Sequence, residues 1–212
     1  MVWLETILWT PQDGYFLLDD HLARLTDSAA YFSRPIDIGA IREKLNVLAS
    51  ELSPHPHKIR LVVPQENEPM LEAHMLSPLP QPYRIRIAKT PINSGDPFLY
   101  HKTTHRRVYE QVLAESPGCD DVLLWNEREE VTESSIANVV VEIDDRLLTP
   151  PVHCGLLPGM YRSLLLEEGK ITEEIINVQD LARCSRIWLV NSVRGMWEVS
   201  LEFDRDLEEE SD

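Results

Sequence analysis

The amino-acid sequence predicts an α+β fold in two parts, a small N-terminal α+β domain over residues 1–83 and a larger mixed α/β domain over residues 84–212. In the first half, strand-like runs surround two amphipathic helical patterns. In the second half, short strand-like runs are interrupted by isolated helix signals. Two proline-marked segments, 77–83 and 89–97, flank the strand RIRIA, and this change of composition indicates a domain boundary.

The first domain is expected to begin with a hairpin. The runs VWLETILW and GYFLLDD have strand composition and are joined by the turn TPQDG. In the segment DDHLARLTDSAAYF that follows, apolar residues recur at helical spacing from Leu22 to Phe32. A second helical pattern over 37–52 ends at the proline-containing turn SPHPH, and the strands KIRLVV and MLEAHML complete the domain.

The second domain is expected to be rich in short strands. Its helix signals lie at 104–115, 160–168 and 178–182. Lys102 stands just before the first of these helices and after an aromatic and aliphatic stretch, which is interpreted as the end of a buried strand. The predicted strands are DDVLLWN, ANVVVEI, RLLTP, RIWLVNS and GMWEVSLEF.

Charge and composition argue against several classes of protein. The chain has 20 basic and 36 acidic side chains and a net charge of −16, which repels phosphate backbones, so no nucleic-acid partner is expected. Residues 201–212 contain seven acids and one arginine and are interpreted as a solubilising tail. No apolar run approaches the length of a membrane span, and Glu5 interrupts the N-terminal segment too early for a signal peptide. A cytoplasmic protein without a membrane partner is therefore expected.

Metal sites and the common catalytic motifs have no support in the sequence. The three cysteines are odd in number and lack metal-ligand spacing, so they are interpreted as reduced thiols. The histidines of SPHPHK lie in a turn that proline keeps extended and exposed, without an adjacent acid or cysteine. The motifs GxGxxG, GxxxxGK[ST], GxSxG and HExxH do not occur. Nucleotide-binding, serine-hydrolase and zinc-protease functions are therefore disfavoured.

Several separate groups nevertheless suit one cofactor. Lys102 offers an amine and Glu133 a carboxylate at the edge of a buried strand, while the helix after the Pro-Gly turn directs free N–H groups of Met160 and Tyr161 at an anion. Each feature also has an ordinary interpretation, as a surface charge, a turn acid or the start of any helix. Pyridoxal phosphate requires an amine, an anion pocket and a carboxylate beside its ring nitrogen, and Arg24 would complete that pocket.

Five motifs occur in one order along nearly the whole chain: HLARL, YHKTTHR, VTESSIANVV, LLPGMYR and VNSVRG. The last of them ends a strand with Asn191, Ser192 and Arg194, a cluster typical of a ligand cleft or of a capped loop. In this order the motifs resemble the class IV (fold type IV) aminotransferase family, which includes branched-chain and D-amino-acid aminotransferases and aminodeoxychorismate lyase. The resemblance implies an enzyme that uses pyridoxal 5'-phosphate and acts as a homodimer, with its site near the subunit interface.

The resemblance also implies roles for individual residues. Lys102 corresponds to the lysine that forms an imine with the cofactor, and Glu133 corresponds to the acid that faces the pyridine nitrogen. Arg24 matches the arginine that grips the cofactor phosphate as a bidentate clamp. The other implied phosphate contacts are Met160, Tyr161 and Ser192.

Four further residues, Arg106, Arg107, Tyr109 and Arg194, stand at positions that differ among branches of the family. They are candidates to bind the ring hydroxyl or a substrate carboxylate, and Arg107 and Arg194 are the predicted substrate-binding pair. His105 stands where many relatives have asparagine. The chain also begins almost at the strand VWLETILW, whereas relatives have a further N-terminal stretch with a glycine- and aspartate-rich turn, so a shortened small domain is expected.

The motifs are most similar to the lyase domains that are fused behind a chorismate-aminating synthase component in folate biosynthesis. The implied activity is that of 4-amino-4-deoxychorismate lyase, which eliminates pyruvate from this small-molecule substrate and leaves 4-aminobenzoate. A functional link to such a synthase component is implied as well. Two alternatives stay open: a class IV aminotransferase that acts on branched-chain or D-amino acids, and a degenerate scaffold without catalytic activity.

Overall fold

The computed structural model of the chain describes residues 2–66 and 68–202. Its helices are α1 (Leu18–Tyr31), α2 (Ile38–Glu51), α3 (Arg107–Ala114) and α4 (Met160–Glu167). Short 3₁₀ helices cover Pro97–Leu99, Val152–Cys154 and Val178–Arg183. The strands are β1 (Val2–Thr10), β2 (Gly14–Tyr15), β3 (His57–Pro64), β4 (Met70–Met75), β5 (Arg84–Ile87), β6 (Asp121–Trp125), β7 (Val131–Ser134), β8 (Asn138–Ile143), β9 (Arg146–Thr149), β10 (Thr172–Glu173), β11 (Arg186–Asn191) and β12 (Gly195–Glu202).

The first sheet is antiparallel and has the strand order β2-β1-β3-β4. Successive side chains of a strand point to opposite faces of the sheet. One face of β1 therefore carries Trp3 into a core with Leu22 of α1 and Ile41 of α2. The opposite face carries Leu4 and Thr6, which line a cavity between the two halves of the chain.

Local sequence signals explain how the two helices on this sheet begin. Leu17 has a φ of 52° and turns the chain from the hairpin into α1, whose first turn carries Asp19 and Asp20 at the positive end of the helix dipole. At the start of α2, the Asp37 carboxylate accepts a hydrogen bond of 3.0 Å from the Ala40 N–H. Helix α1 needs this firm placement because it supplies one of the predicted site residues.

The second sheet has the order β10-β9-β8-β11-β12-β5-β6-β7, and β7 also pairs with β8. The six strands from β8 round to β7 consequently form a closed ring, and β9 and β10 extend it on one side. β12 and β5 pair in parallel, as do β5 and β6. The interior of the ring is filled by buried apolar side chains that include Ile85, Leu123, Val139, Leu189 and Trp197.

The prediction that GYFLLDD is a strand is wrong beyond Tyr15, because the positive φ of Leu17 starts α1 three residues later. The prediction of a buried strand before Lys102 is also wrong. That stretch forms the 3₁₀ helix Pro97–Leu99, which Asp96 caps by accepting a hydrogen bond of 2.9 Å from the Phe98 N–H. Pro97, the first residue of this helix, has a fixed φ that suits a helical turn. It also has no backbone N–H to donate to a neighbouring strand, which disfavours a strand here.

Two further differences concern short elements. Glu133 lies inside the strand β7, whereas the sequence placed it before a strand; the run VTES is too short and polar to give a clear strand signal. The helix signal at 178–182 belongs to a 3₁₀ helix with a capping box between Asn177 and Asp180. The other predicted helices and strands are confirmed, with shifts of up to three residues at their ends.

The predicted domain boundary falls in the segment between β4 and β5, and the division into two domains stays a prediction. The predicted acidic tail lies outside the described residues from 203 onward. All three cysteines are free thiols. Within the described ranges, none of the helices is long and apolar enough to cross a membrane.

Candidate active site

A cavity of about 470 Å³ opens between the first sheet and the closed ring of the second. β1, β3 and α1 contribute lining residues from the first half of the chain, and the loops around β7, β8, α4 and β11 contribute those of the second half. Six of the predicted site residues line this one cavity: Arg24, Lys102, Glu133, Met160, Ser192 and Arg194. Residues that are up to 170 positions apart in the sequence thus line the same cavity.

Lys102 lies in the loop between the 3₁₀ helix and α3, and β1 holds this loop in place. The Leu4 N–H donates to the Lys102 carbonyl at 3.0 Å, and Trp3 forms a bridge with Thr103. The side chain is only partly exposed, and it borders the cavity. Burial, and after it the nearby Arg24 charge, lower the pKa of Lys102 to about 8 against the opposing effect of the Glu5 charge. The amine is therefore much easier to deprotonate than an exposed lysine.

Glu133 is a buried carboxylate on β7 that faces the same cavity. The Tyr109 hydroxyl donates to its Oε1 at 2.7 Å, and the Asn138 side-chain amide donates to its Oε2 at 3.2 Å. Burial raises the pKa of Glu133 to about 7, although the Tyr109 hydrogen bond and the Lys102 charge both lower it. The carboxylate is thus fixed in orientation and titrates close to neutral pH.

Arg24 binds Glu5 in a bidentate manner, where the sequence predicted a bidentate clamp on a phosphate. Its Nε and Nη2 donate to the two Glu5 oxygens at 2.9 and 2.6 Å, and its Nη1 donates to the Pro158 carbonyl at 2.9 Å. A guanidinium has five N–H groups, so one on Nη1 and one on Nη2 have no hydrogen-bond partner within the described part of the chain. Because Arg24 lines the cavity, this pair of donors is available to an anion there.

Glu5 is the centre of a buried group of charges behind Arg24. It is 1% exposed, and its Oε2 also contacts His21 Nδ1 at 2.7 Å. Burial by itself would raise the pKa of Glu5, but the Arg24 charge and the hydrogen bonds from His21 and Arg24 lower it to about 2. Glu5 is therefore ionised at all ordinary pH values and holds Arg24 from the side away from the cavity.

Helix α4 begins at the cavity and has its first backbone N–H groups free of intrahelical partners. Gly159 and Met160 line the cavity, whereas Tyr161 does not and instead packs against Phe16 with ring centroids 6.0 Å apart. A Cβ atom on Gly159 would lie 2.0 Å from Asn138 Oδ1, so only glycine allows the backbone to approach β8 this closely. The helix start is thereby held against the wall that carries Glu133.

The turn after β11 supplies polar groups on the opposite side of the cavity. The Asn191 side chain accepts hydrogen bonds from the backbone N–H groups of Val193 and Arg194 at 3.0 and 2.8 Å, which shapes the turn. The Ser192 hydroxyl donates to the Thr6 carbonyl at 3.4 Å. The guanidinium of Arg194 donates to the Ser77 carbonyl. Ser192 and Arg194 are therefore in contact with the first half of the chain as well as with the cavity.

The neighbouring arginines Arg106 and Arg107 occupy different surroundings. Arg106 lines the cavity, donates to the Ser135 carbonyl at 2.5 Å and lies 4.7 Å from the Tyr109 ring centroid. Arg107 is exposed at the start of α3 and borders a smaller pocket beside Asp96. The structure therefore brings Arg106, and not Arg107, to the cavity. The hydroxyl of Tyr109 donates its hydrogen bond to Glu133.

The sequence did not identify four residues of this site: Glu5, Lys58, Arg60 and Asn138. Lys58 and Arg60 alternate on β3 and point their side chains into the cavity, which adds two positive charges to its wall. Glu5 was detectable in the sequence, because it lies two residues from Trp3 and therefore on the same, inward-facing side of β1, where the other residues are apolar. Asn138 lies within the motif IANVV, but its cross-strand pairing with Glu133 is a property of the fold.

The arrangement has the features of a site for an anionic aromatic cofactor. Two free guanidinium N–H groups and the start of α4 form an anion-binding end, and a buried carboxylate and an amine lie elsewhere in the same cavity. In the part of the chain that the structure describes, no three metal-ligating side chains cluster. The cavity is suited to proton transfer by an amine and a carboxylate whose pKa values have moved toward each other.

Comparisons with known proteins agree with these features. The family model for amino-transferase class IV matches residues 3–201. A Schizosaccharomyces pombe protein named "Putative aminodeoxychorismate lyase" is 30% identical over 202 residues, which cover 90% of this chain and 85% of that protein.

Solved structures give the same result. The crystal structure of a "Putative amino-acid aminotransferase" from Mesorhizobium loti has a TM-score of 0.88 and 33% identity, and the match covers 95% of this chain and 99% of that chain. The PLP-bound form of a hypothetical aminotransferase from Mycobacterium tuberculosis has a TM-score of 0.77 and 25% identity, over 95% of this chain and 81% of that chain. The chain has the fold type IV architecture and belongs to the class IV aminotransferase family of pyridoxal-phosphate-dependent enzymes.

Proposed function

We propose that this protein is a 4-amino-4-deoxychorismate lyase that uses pyridoxal 5'-phosphate. The observation that carries the proposal is a cavity that combines Lys102 and Glu133 with a strongly cationic wall. Besides Lys102, five cationic side chains line the cavity: Arg24, Lys58, Arg60, Arg106 and Arg194. Arg24 is paired with Glu5 and Arg60 with Glu72, two acids that do not line the cavity, and within the described ranges Glu133 is the one acid among the lining residues. The chain has a net charge of −16, yet the wall of this cavity is positively charged. A positive wall favours the binding of a cofactor phosphate together with a substrate that carries two carboxylates.

The residues of the cavity fit the cofactor. The two free N–H groups of Arg24 and the start of α4 would hold its phosphate, and the Ser192 hydroxyl would join them by turning from the Thr6 carbonyl, to which it donates over a long 3.4 Å. Gly159, which has no room for a Cβ, allows the backbone to approach the phosphate position. Glu133 would face the ring nitrogen, because a carboxylate that is already held by two donors is pre-organised to accept a third hydrogen bond. Pyridoxal phosphate, when bound, supplies a carbonyl carbon that condenses with amines and a ring that accepts electrons.

Lys102 is the residue to which the proposal assigns proton transfer. Its Nζ accepts the proton from the substrate carbon that bears nitrogen. A pKa of about 8 leaves an appreciable fraction of the amine unprotonated near neutral pH, which a base requires. Arg24 and Arg106 lie near enough to lower this pKa, so the same cations that attract anions also prepare the base.

The substrate chemistry explains the need for a rigid, cationic cavity. After loss of the proton, the bond from the ring to the enolpyruvyl oxygen breaks, the electron pair leaves with the oxygen, and the ring becomes aromatic. The released enolate takes up a proton and becomes pyruvate. Arg194 and Arg106 border the cavity at positions from which they would bind the two substrate carboxylates and orient the breaking C–H bond. Arg107 is not needed for this arrangement.

The named relatives support two activities. The S. pombe protein that covers most of this chain is named as a lyase, whereas the M. loti structure, which matches over nearly its full length, is named as an aminotransferase. Aminotransferase activity is therefore the second candidate. The proposal also includes the homodimer, the cytoplasmic location and the link to a chorismate-aminating synthase component that the family resemblance implies.

The assignment is tested by stoichiometry. Purified protein with pyridoxal phosphate is given aminodeoxychorismate without any keto acid, and pyruvate and 4-aminobenzoate are measured. A lyase releases the two products in equal amounts over many turnovers, and Lys102→Ala abolishes the release. Borohydride trapping and peptide mapping on the wild-type protein should place the cofactor on Lys102, while Lys89 and Lys170 serve as internal controls.

An aminotransferase gives a different result. An amino donor alone converts its cofactor to the amine form, and product appears only when a keto acid is added. Absence of pyruvate release together with this half-reaction would replace the lyase proposal by the second candidate. Absence of both reactions would favour a non-catalytic scaffold.

A further inference from the structure

The carboxylate of Glu133 is held from two different elements. Tyr109 on α3 donates to Oε1 at 2.7 Å, and Asn138 on β8 donates to Oε2 at 3.2 Å. Asn138 is the cross-strand neighbour of Glu133 and also donates to the Leu157 carbonyl at 2.8 Å. Of these two side-chain contacts, the one with Tyr109 is shorter and comes from outside the strand pair, and a backbone hydrogen bond at Leu157 also lowers the pKa of Glu133.

Tyr109 is placed for this contact by the packing of α3. Its ring is buried in a cluster with Leu99, Val112 and Leu124, and the guanidinium of Arg106 lies 4.7 Å from the ring centroid. Burial and the facing Glu133 charge raise the pKa of Tyr109 well above its ordinary value. The hydroxyl therefore stays protonated and can only donate to the ionised carboxylate.

The charges around this pair are few. Lys102 and Arg106 face Glu133 and lower its pKa, and Asp96 is the other acid that acts on Tyr109. Burial acts in the opposite direction and is the largest influence, so the pKa of Glu133 lies at about 7. Because these influences oppose one another, the hydrogen bond from Tyr109 moves the balance toward the ionised carboxylate near neutral pH.

We propose that Tyr109 is a positioning residue that keeps Glu133 ionised and turned into the cavity. The sequence had suggested that Tyr109 binds the ring hydroxyl or a substrate carboxylate; its hydroxyl instead serves the acid. The inference rests on the proposed function in one respect, namely that Glu133 is the group that would face the cofactor ring. A protonated Glu133 would bring its own proton to that contact and would not favour a protonated ring nitrogen.

An ordinary core tyrosine is the competing interpretation. A buried hydroxyl needs some acceptor, and a carboxylate satisfies it without any effect on function. The two interpretations differ in what removal of the hydroxyl does to Glu133. A core tyrosine contributes to stability alone, whereas a positioning tyrosine also sets the pKa of the carboxyl group.

The test measures that pKa directly in the cofactor-free protein. Difference infrared spectroscopy follows the protonated carboxyl band as a function of pH, and Glu133→Gln identifies the band. Tyr109→Phe is expected to raise the pKa of Glu133 by about one to two units, the shift that corresponds to one hydrogen bond to a charged group. Tyr15→Phe is the matched control, because it also removes a tyrosine hydrogen bond, of 2.6 Å to the Leu45 carbonyl, and Tyr15 is partly buried but does not line the cavity.

An unchanged or lowered pKa of Glu133 in folded Tyr109→Phe protein would overturn the inference. If that variant does not fold, 3-fluorotyrosine at position 109 keeps the shape and strengthens the donor, and it is expected to lower the pKa of Glu133; no change would again overturn the inference. The cofactor provides a second readout: the affinity of Tyr109→Phe for pyridoxal phosphate should fall most at pH 8 relative to the wild-type protein.

The infrared result does not depend on the reaction. A raised pKa of Glu133 in a protein that releases no pyruvate would support the role of Tyr109 and contradict the lyase proposal. If the wild-type protein releases pyruvate but Tyr109→Phe shows no change in the pKa of Glu133, the lyase proposal would be supported and the role of Tyr109 contradicted.

Discussion

Glu5 shows how much a single buried side chain contributes to this site. It is enclosed by β1 and α1 and compensates the charge of Arg24, while His21 contacts the same carboxylate. Arg24 lines the cavity, whereas Glu5 and His21 do not. The importance of Glu5 for cofactor binding is therefore indirect, and its importance for stability is direct.

We expect Glu5→Gln to destabilise the protein by about 3 kcal/mol at pH 7, because Arg24 would be left as a buried charge without its partner. The pKa of Glu5 in the folded protein is about 2, below its ordinary value of 4.5. The stabilisation is therefore fully present above about pH 4.5 and is lost as the pH falls toward 2. Urea unfolding at pH 7, 4 and 2.5 should show the difference between wild type and variant shrinking with decreasing pH.

Glu68→Gln is the control, since Glu68 forms an exposed ion pair with Lys44 that solvent screens. It should have a much smaller effect at every pH. A difference between Glu5→Gln and wild type that stays constant down to pH 2.5 would contradict the role of the ionised carboxylate.

The chemically distinctive residues were predictable and their supporting partners were not. Lys102, Glu133 and Arg24 stand in motifs with a recognisable order, and all three line the cavity. The partner of Arg24 was expected to be a phosphate, yet Glu5 occupies one side of the guanidinium. A single sequence does not reveal which of many acids compensates a buried cation, because that pairing arises from tertiary contacts.

At the level of elements, the junction between β8 and α4 is the most tightly constrained part of the site. Asn138 contacts Glu133 at one end of the cavity, and its Oδ1 lies where a Cβ of Gly159 would be. The strand and the helix start are therefore packed with no space for a methyl group. Movement of one element is transmitted to the other through the asparagine side chain.

Gly159→Ala should consequently weaken cofactor affinity by at least about tenfold. The φ of −72° is compatible with alanine, so the backbone is not strained, but Asn138 must move and lose contacts to Glu133 and Leu157. Titration of the apoprotein with pyridoxal phosphate, followed by absorbance, measures the change.

The matched control is Gly39→Ala in α2, where the added Cβ would lie 3.2 Å from Asp37 Oδ1, the oxygen that caps the helix. It should leave affinity unchanged, because α2 does not line the cavity, and change the free energy of unfolding by no more than about 1 kcal/mol, since the gain in helix propensity is offset by the displaced cap. Equal affinities in Gly159→Ala and wild type would show that β8 and α4 adjust independently.

Prediction of elements succeeded where periodicity was strong and failed where it was absent. β8, β11 and β12 are rich in β-branched or aromatic residues and were identified from these runs. β7 and β10 are four and two residues long and largely polar, so their strand conformation comes from the neighbours with which they pair. The pairing of β7 with both neighbours is what carries Glu133 into the core.

Over the whole molecule, cofactor binding should couple the two halves of the chain. Arg24 Nη1 donates to the carbonyl of Pro158, 134 residues further along the chain, and Arg24 lines the same cavity as the start of α4. An anion between them would contact both halves at once. Binding should therefore stabilise the complete fold.

We expect pyridoxal phosphate at a hundred times its Kd to stabilise wild-type protein by about 2.7 kcal/mol, and Arg24→Ala to lose most of the corresponding rise in Tm. Each variant is compared with its own cofactor-free melt, because loss of Arg24 also leaves Glu5 unpaired. Arg42→Ala, which removes an exposed cation of α2, should retain the full rise. An undiminished rise in Arg24→Ala would exclude Arg24 from the phosphate site.

The α+β class was predictable because strand-like runs and amphipathic helical patterns both occur along the chain, but the strand order was not. Nothing local in GMWEVSLEF indicates that β12 pairs in parallel with β5, more than a hundred residues earlier. The cavity exists because this pairing closes the ring and turns the ends of β7, β8 and β11 toward the first sheet.

The position of β12 has a consequence for protein synthesis. The ribosome makes this strand after every other described element, yet it belongs between β11 and β5, in the middle of the strand order. Until it emerges, the nascent chain carries two unpaired strand edges that can capture other chains. A stop codon just before residue 195 would leave those edges open permanently, so early termination there should yield aggregates in place of a slightly shortened enzyme.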